Sequence, residues 1–379
     1  MGISTVAFLT SSHSPFDDRI FYHQAQALAK LYKVVIISGT EAISRTVGHV
    51  SIVSVNLQNS DKKKKIEFFK QTLTQFNPEL IICSEPLPIL AALNYKKTIQ
   101  QKVKIIYDVT EWYPSKKNLE GLPLYKQIFS FLKLLIVNLY ASSRCDGFIF
   151  GEHYKSLPYR FLFGFKKWEM VSYFPDLKYI NYQESKLNPD KICLGYTGKI
   201  SVEKGIRNFF DMATALKRKR PEVAVKLKII GWCLNETEKN IFEKLCREAE
   251  NIEIEILGKQ NFETFSDQLH DVDILCDLRK LDFENNHCLA IKVFYYAACG
   301  KPVIYSRIKA IKRDIDVNKF GYFVDPTDFE MISDYIIKYI EHPDLYREHS
   351  QIARELAVTK YNWGIIEPQF VDFISKFQS

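Results

Sequence analysis

Gly198, Lys199 and Lys204 follow an apolar strand-like run and lead into a helical segment, in the stretch LGYTGKISVEKG from Leu194 to Gly205. A glycine there removes the side chain where backbone must approach a phosphate, and the start of the next helix offers unpaired N–H groups and a positive dipole end. Lys199 and Lys204 each add a full charge opposite a diphosphate. On its own the stretch serves equally well as a plain strand-to-helix junction. A second constellation runs from Glu284 to Ile304 (ENNHCLAIKVFYYAACGKPVI) and joins a polar loop, a helix carrying Lys292 and Tyr295, and a Gly-Lys-Pro strand start.

Together these stretches resemble the G-R-x-x-x-x-K-G and N-x-x-S-L-P-x-K-L-F-E-Y-M-A-A-G-K-P-V segments of retaining glycosyltransferase family four, the glycosyl transferases of group 1. The likeness extends along the chain. His13 to Ile20 (HSPFDDRI) resembles the family's H-x-P-x-D-x-R-I loop, Tyr107 to Pro114 (YDVTEWYP) its Y-D-V-H-E-x-Y-P segment, and Tyr361-Asn362-Trp363 its closing Y-x-W motif. The resemblance implies a GT-B fold, a nucleotide-diphosphate sugar as donor, a glycan or lipid-linked acceptor, and no metal or organic cofactor.

By this resemblance Gly198, Lys199, Lys204, Glu284, His287, Lys292 and Tyr295 bind the donor. His13, Asp18, Arg19, Asp108, Thr110 and Glu111 face the acceptor. The family's arginine is Lys199 here, which keeps the charge and loses the bidentate fork. Its paired glutamates fall on His287 and Tyr295. Tyr295 either hydrogen-bonds a ribose through its phenol or is a core aromatic beside Tyr296. The histidine of Y-D-V-H-E is Thr110, which cannot be a general base. Glu111 and Asp108 remain to orient an acceptor hydroxyl, while Asp108 serves equally as a strand-end cap. Retaining members of this fold are thought to react on the front face, with the leaving phosphate accepting the acceptor's proton. Lys199, Lys204 and the helix dipole then carry the electrostatic demand, and Lys199, Lys204 and Glu111 are the catalytic candidates.

The elements that must position these groups are visible as periodicity. At 379 residues the chain exceeds one usual core, which predicts two domains. Apolar runs 6–9, 34–37, 50–55, 80–83, 103–107 and 148–150 alternate with helical stripes such as Phe21, Ala25, Leu28, Ala29 and Ile66, Phe69, Leu73, Phe76, the signature of parallel βαβ units. A polar stretch, 176–191, reads as the linker. The pattern restarts with strands at 192–196, 225–230, 252–257, 274–276 and 302–305, and helices at 206–216 and 236–249. Two doubly wound Rossmann-like α/β domains facing a cleft follow, with ligands at the carboxyl ends of the strands. The acceptor domain spans 1–178 and the donor domain 190–362. Residues 363–379 form an amphipathic crossover helix, with Ile366, Phe370, Phe373 and Ile374 on one face, packing back on the first domain.

Composition excludes several classes. With 46% hydrophobic and 26% charged residues the chain is globular. Its eight cysteines contain no CxxC pair and read as reduced core residues, and the N-terminus reads as a strand rather than a secretion signal. The first strand is followed by Thr10-Ser11-Ser12-His13 with no GxGxxG, which argues against a dinucleotide oxidoreductase. The net charge of +7 clusters in 62–65 and 217–220 without a nucleic-acid-binding motif. The longest apolar run, Ile128 to Ala141, is too short to span a bilayer and is expected as a buried helix. The expected location is cytoplasmic. Attachment to an anionic membrane through Lys62–Lys65 and the segment YRFLFGFKKW (Tyr159 to Trp168) stands against solvated lysines and core phenylalanines. Two related functions stay open: a catalytically weakened GT-B partner subunit, and a sugar-nucleotide epimerase.

Overall fold

The computed structural model describes residues 4–99, 102–111, 113–115, 119 and 121–377. The chain divides into two compact units. The first holds the residues up to Tyr173 together with those from Gly364 onward, and the second runs from Phe174 to Trp363.

The first unit is built on eight strands: β1 (Thr5–Thr10), β2 (Lys33–Ser38), β3 (Ile43–Val47), β4 (Val50–Ser54), β5 (Leu80–Cys83), β6 (Lys104–Val109), β7 (Gly147–Phe150) and β8 (Lys167–Met170). They form one sheet in the order β3-β4-β2-β1-β5-β6-β7-β8, parallel except for β3 against β4. Its central strands are buried along their length and read as continuous apolar runs, as strands covered on both faces must. Helices Lys62–Phe76, Pro86–Ile99, Leu124–Arg144 and His153–Phe163 lie beside one another over one face, where Phe69, Leu73, Ile89, Ala141 and Tyr159 complete the core. The C-terminal helix Trp363–Ser375 packs on this unit as well. Phe370, Phe373 and Ile374 are buried, Gln369 donates to Glu169 at 2.7 Å, and the Phe377 ring beyond it lies against Gly147.

The second unit carries six parallel strands: β9 (Lys191–Ile200), β10 (Ala224–Cys233), β11 (Glu253–Leu257), β12 (Ile274–Asp277), β13 (Val303–Ser306) and β14 (Gly321–Val324). Their order is β11-β10-β9-β12-β13-β14, so the chain reverses its direction of travel between β9 and β12. In the first unit the reversal falls between β1 and β5. Side chains beyond the carboxyl ends at these switch points are the ones open to ligands.

One expectation fails. The apolar run 128–141 lies in the helix Leu124–Arg144, yet only Asn138, Ala141 and Ser142 of that helix are buried. Its outer surface is hydrophobic and exposed. The Tyr159–Trp168 segment is split between a helix and β8: Phe163 packs on the core, whereas Phe161 and Phe165 stand in solvent. Among the described residues no helix is long and apolar enough to cross a membrane.

Candidate functional site

In the second unit the glycine-lysine stretch is not a turn from the outset. β9 keeps pairing with β10 through Gly198↔Gly231 and Lys199↔Trp232, and the true turn covers residues 201–205. Gly198 sits at φ +95°, a conformation L side chains rarely adopt, and any Cβ there would lie 3.2 Å from Lys292 Nζ. Gly205, at φ +87°, precedes the helix Ile206–Lys219, and a Cβ on it would meet the Leu278 carbonyl oxygen at 2.1 Å. Gly198 is therefore dictated by its backbone conformation, and Gly205 by its conformation together with the close approach of the Leu278 carbonyl.

Two lysines, Lys204 and Lys292, converge on this corner. Lys204 Nζ donates to Asn285 Oδ1 at 2.8 Å and pairs with Glu203 at 2.9 Å, which ties the turn to the short helix Phe283–Asn286 that carries Glu284. Lys292 opens the helix Lys292–Ala298, donates to the Thr197 carbonyl beside Gly198, and lies 3.5 Å from Asp277. Burial pushes Lys292 down to about 8; Arg279 and Lys204 push the same way, while Asp277 pulls against them. Lys199 is half-buried at the end of β9, its carbonyl accepting the Tyr196 hydroxyl at 2.7 Å.

Of the positions matched to the paired glutamates, His287 lies tilted against Phe283 with centroids 4.5 Å apart, and its Nδ1 lies 2.7 Å from the Phe283 carbonyl oxygen. Tyr295 is buried edge-on to Phe262. It is the next residue, Tyr296, whose hydroxyl reaches the glycine stretch, 2.6 Å from Thr197 Oγ1. Sequence reasoning also passed over Asp277 and Arg279. They form a buried ion pair at the end of β12, and Tyr305 donates to the same carboxylate at 3.2 Å. An Asp-x-Arg just past a buried strand adjoining the switch point was the available signal.

In the first unit the matched residues separate into two sets. Arg19 and Asp108 form a buried bidentate pair, both bonds at 2.7 Å, with Gln24 donating to the same carboxylate at 2.8 Å and Arg19 also donating to the Val171 carbonyl. The expectation that Asp108 orients an acceptor is corrected: its oxygens already accept three N–H groups away from solvent. Among the described residues it caps no turn. The pair fastens the π-helical turn Asp18–Ala25 to the end of β6.

His13 stands past β1, with Nδ1 3.1 Å from Asp17, and Nε2 3.4 Å from Thr110 Oγ1 and 3.7 Å from Glu85. Desolvation opposes its charge, but Asp17, then Glu85 and Glu111, outweigh this and raise it to about 9. His13 is thus a cation at neutral pH and not a base. Its charge contributes stability that is complete below pH 6.5 and lost as pH rises through about 9. Desolvation and the neighbouring Asp17 push Asp18 up to about 7. Glu111 is exposed beyond β6. Glu85, which sequence reasoning missed, follows β5 at the switch point and accepts from Thr10 Oγ1 at 2.9 Å and from the Ser11 and Ser12 amides at 3.0 and 3.2 Å.

Residues 180–356 match the family model Glycosyl transferases group 1. The matched stretch lies within the second unit, Phe174–Trp363. The matched range contains Gly198, Lys199, Lys204, Glu284, His287, Lys292 and Tyr295, while His13 to Glu111 lie outside it. A curated relative, mannosylfructose-phosphate synthase of Agrobacterium fabrum, is 23% identical over 184 residues, which is 47% of this chain and 39% of that protein. The match therefore spans about two fifths of the relative's length. Sucrose-phosphate synthase from Thermosynechococcus elongatus is similar over 98% of both chains, with a TM-score of 0.76 at 15% identity. HepE from Anabaena, solved in complex with UDP and glucose, is similar over 98% of this chain and 100% of that one, with a TM-score of 0.70 at 13% identity. At such identities the likeness speaks for the fold, that of the GT-B glycosyltransferases.

Proposed function

We propose that the chain transfers a sugar from a nucleotide-diphosphate sugar to a glycan or lipid-linked acceptor, with retention of anomeric configuration, in cell-surface polysaccharide synthesis. The carrying observation is the corner formed by Gly198, Lys204 and Lys292 at the switch point of the second unit, backed by the start of the helix Ile206–Lys219. Preorganised cations and a helix N-terminus are most useful where charge develops, here on the departing diphosphate. Lys199, Lys204 and Lys292 supply that charge, so the reading calls for no metal and no organic cofactor. Glu284, His287 and Tyr295 are assigned to the sugar and nucleoside. His13, Asp18, Thr110 and Glu111 are assigned to the acceptor, with Arg19 holding their loop in place. The relative that makes mannosylfructose phosphate and the neighbour that holds UDP and glucose support a nucleotide-sugar donor. The enzyme is placed in the cytoplasm.

Incubation with UDP- and GDP-sugars tests this reading, with proton NMR of the product anomer. Release of nucleoside diphosphate and an axial or equatorial linkage matching the donor is expected. Loss of all turnover together with intact nucleotide binding favours the second reading, a weakened partner subunit, for which Thr110, His287 and Tyr295 are the motivating substitutions. Product formed without any acceptor points instead to an epimerase.

Two further outcomes follow from the site. The diphosphate favours charged Lys292, so affinity for UDP or GDP falls as pH rises through about 8, by up to about tenfold per pH unit. Calorimetric titration across that range checks it, and Lys292→Met should flatten the dependence. Glu111→Gln should lower kcat/KM for the acceptor by about tenfold, the loss of one charge-assisted hydrogen bond, while leaving donor affinity intact. Unchanged acceptor kinetics make Glu111 structural.

A further inference from the structure

The outer surface of the helix Leu124–Arg144 has no covering partner among the described residues of its unit. Leu124, Ile128, Leu132, Ile136 and Tyr140 recur every fourth residue and are 44–73% exposed, with Tyr125 and Phe129 alongside at about 70%. The neighbouring helix His153–Phe163 and the residues after it add Phe161 and Phe165, at 88% and 83%. Apolar patches of this extent on a folded unit mark a surface that meets something other than water.

The charges around the patch say what. From Gly121 to Cys145 and from His153 to Trp168 there is no aspartate or glutamate, whereas Lys126, Lys133, Arg144 and Arg160 are all present. Lys126 and Arg144 lie over the exposed rings of Tyr125 and Tyr140, at 5.9 and 5.6 Å from the centroids. A ring body that buries beside a cation that stays hydrated is the arrangement the headgroup layer accepts. Two lysines in the expected membrane segment are engaged elsewhere. Lys166 donates to the carbonyls of Ser142, Ser143 and Cys145, satisfying the end of the Leu124–Arg144 helix, and Lys167 donates to the Lys376 carbonyl.

We infer that the exposed faces of Leu124–Arg144 and of His153–Phe165 seat the first unit in the interface of an anionic lipid bilayer, apolar stripe inward and cations on the phosphates. A second copy is the poorer occupant. A two-fold contact would bring the same acid-free, cationic surface against itself. The binding is independent of the transfer reaction and is measured without donor.

Flotation of the full chain with phosphatidylcholine vesicles, with and without phosphatidylglycerol, tests it. Binding should need the anionic lipid and weaken with salt. The triple change Phe129→Ser, Ile136→Ser, Phe161→Ser, all at exposed positions and checked for folding by circular dichroism, should lower affinity at least about tenfold. Lys126→Gln, Lys133→Gln and Arg160→Gln should each cost about fivefold and reduce the salt slope. Two results overturn the proposal: affinity for anionic vesicles that the triple-serine variant retains, or no vesicle binding by a chain that sediments as a dimer and becomes monomeric in that variant.

Discussion

Asp108→Ala is expected to lower the stability of the first unit by about 3 to 5 kcal/mol, the cost of stranding one member of a buried ion pair. The replaced carboxylate accepts from Arg19 Nε, Arg19 Nη2 and Gln24, all at 2.7–2.8 Å and out of solvent. Without it the guanidinium keeps the Val171 carbonyl and its contact over the Tyr173 ring, 4.1 Å from the centroid, neither of which neutralises it. Arg19→Lys should lose less, because the charge remains while the fork is gone. Chemical denaturation of the full chain, followed for a transition that moves in the variants, measures both. The π-helical turn Asp18–Ala25 hangs on this pair, so acceptor kinetics should deteriorate with it. A loss under about 1 kcal/mol in Asp108→Ala would show that water solvates the site.

Lys204→Ala should weaken nucleotide-sugar binding and turnover by at least about tenfold, since a hydrogen bond to a charged group contributes about 1.5 to 3 kcal/mol. The lysine is held on the turn by Asn285 and Glu203. Because Lys204 also depresses Lys292, its removal should raise the Lys292 pKa and shift the pH dependence of nucleotide binding upward. Unaltered kinetics in a folded Lys204→Ala protein remove the diphosphate assignment. Lys204→Arg should restore most of the affinity.

The central strands were legible because parallel strands buried on both faces are uninterrupted apolar runs, and the predicted 80–83 segment is β5 to the residue. The strands left out, β3, β8 and β14, each lie at an edge of their sheet. β3 is a largely exposed antiparallel edge of sequence ISRTV, and β8 and β14 have four residues each. The helix Leu124–Arg144 was found and its environment misjudged, since an apolar stretch with few charges has no polar stripe to show which side faces out. In the site, Gly198, Lys204 and Lys292 meet at one corner because one strand end, one turn and one helix start set their geometry. Arg19 and Asp108 are 89 positions apart, and spacing cannot separate a buried pair from two acceptor ligands. Glu85 was missed for the same reason, a lone acid at a strand end until the sheet order brings Thr10, Ser11 and Ser12 alongside, whereas the partner of Asp277 is only two positions away at Arg279.

Isothermal titration of the full chain with UDP, GDP and the corresponding monophosphates addresses the central claim, a diphosphate gripped at the Gly198–Gly205 stretch. One diphosphate should bind saturably and at least about tenfold more tightly than its monophosphate, which lacks the phosphate that the lysines address. Equal affinity for mono- and diphosphate, or no binding of any of them, would contradict it.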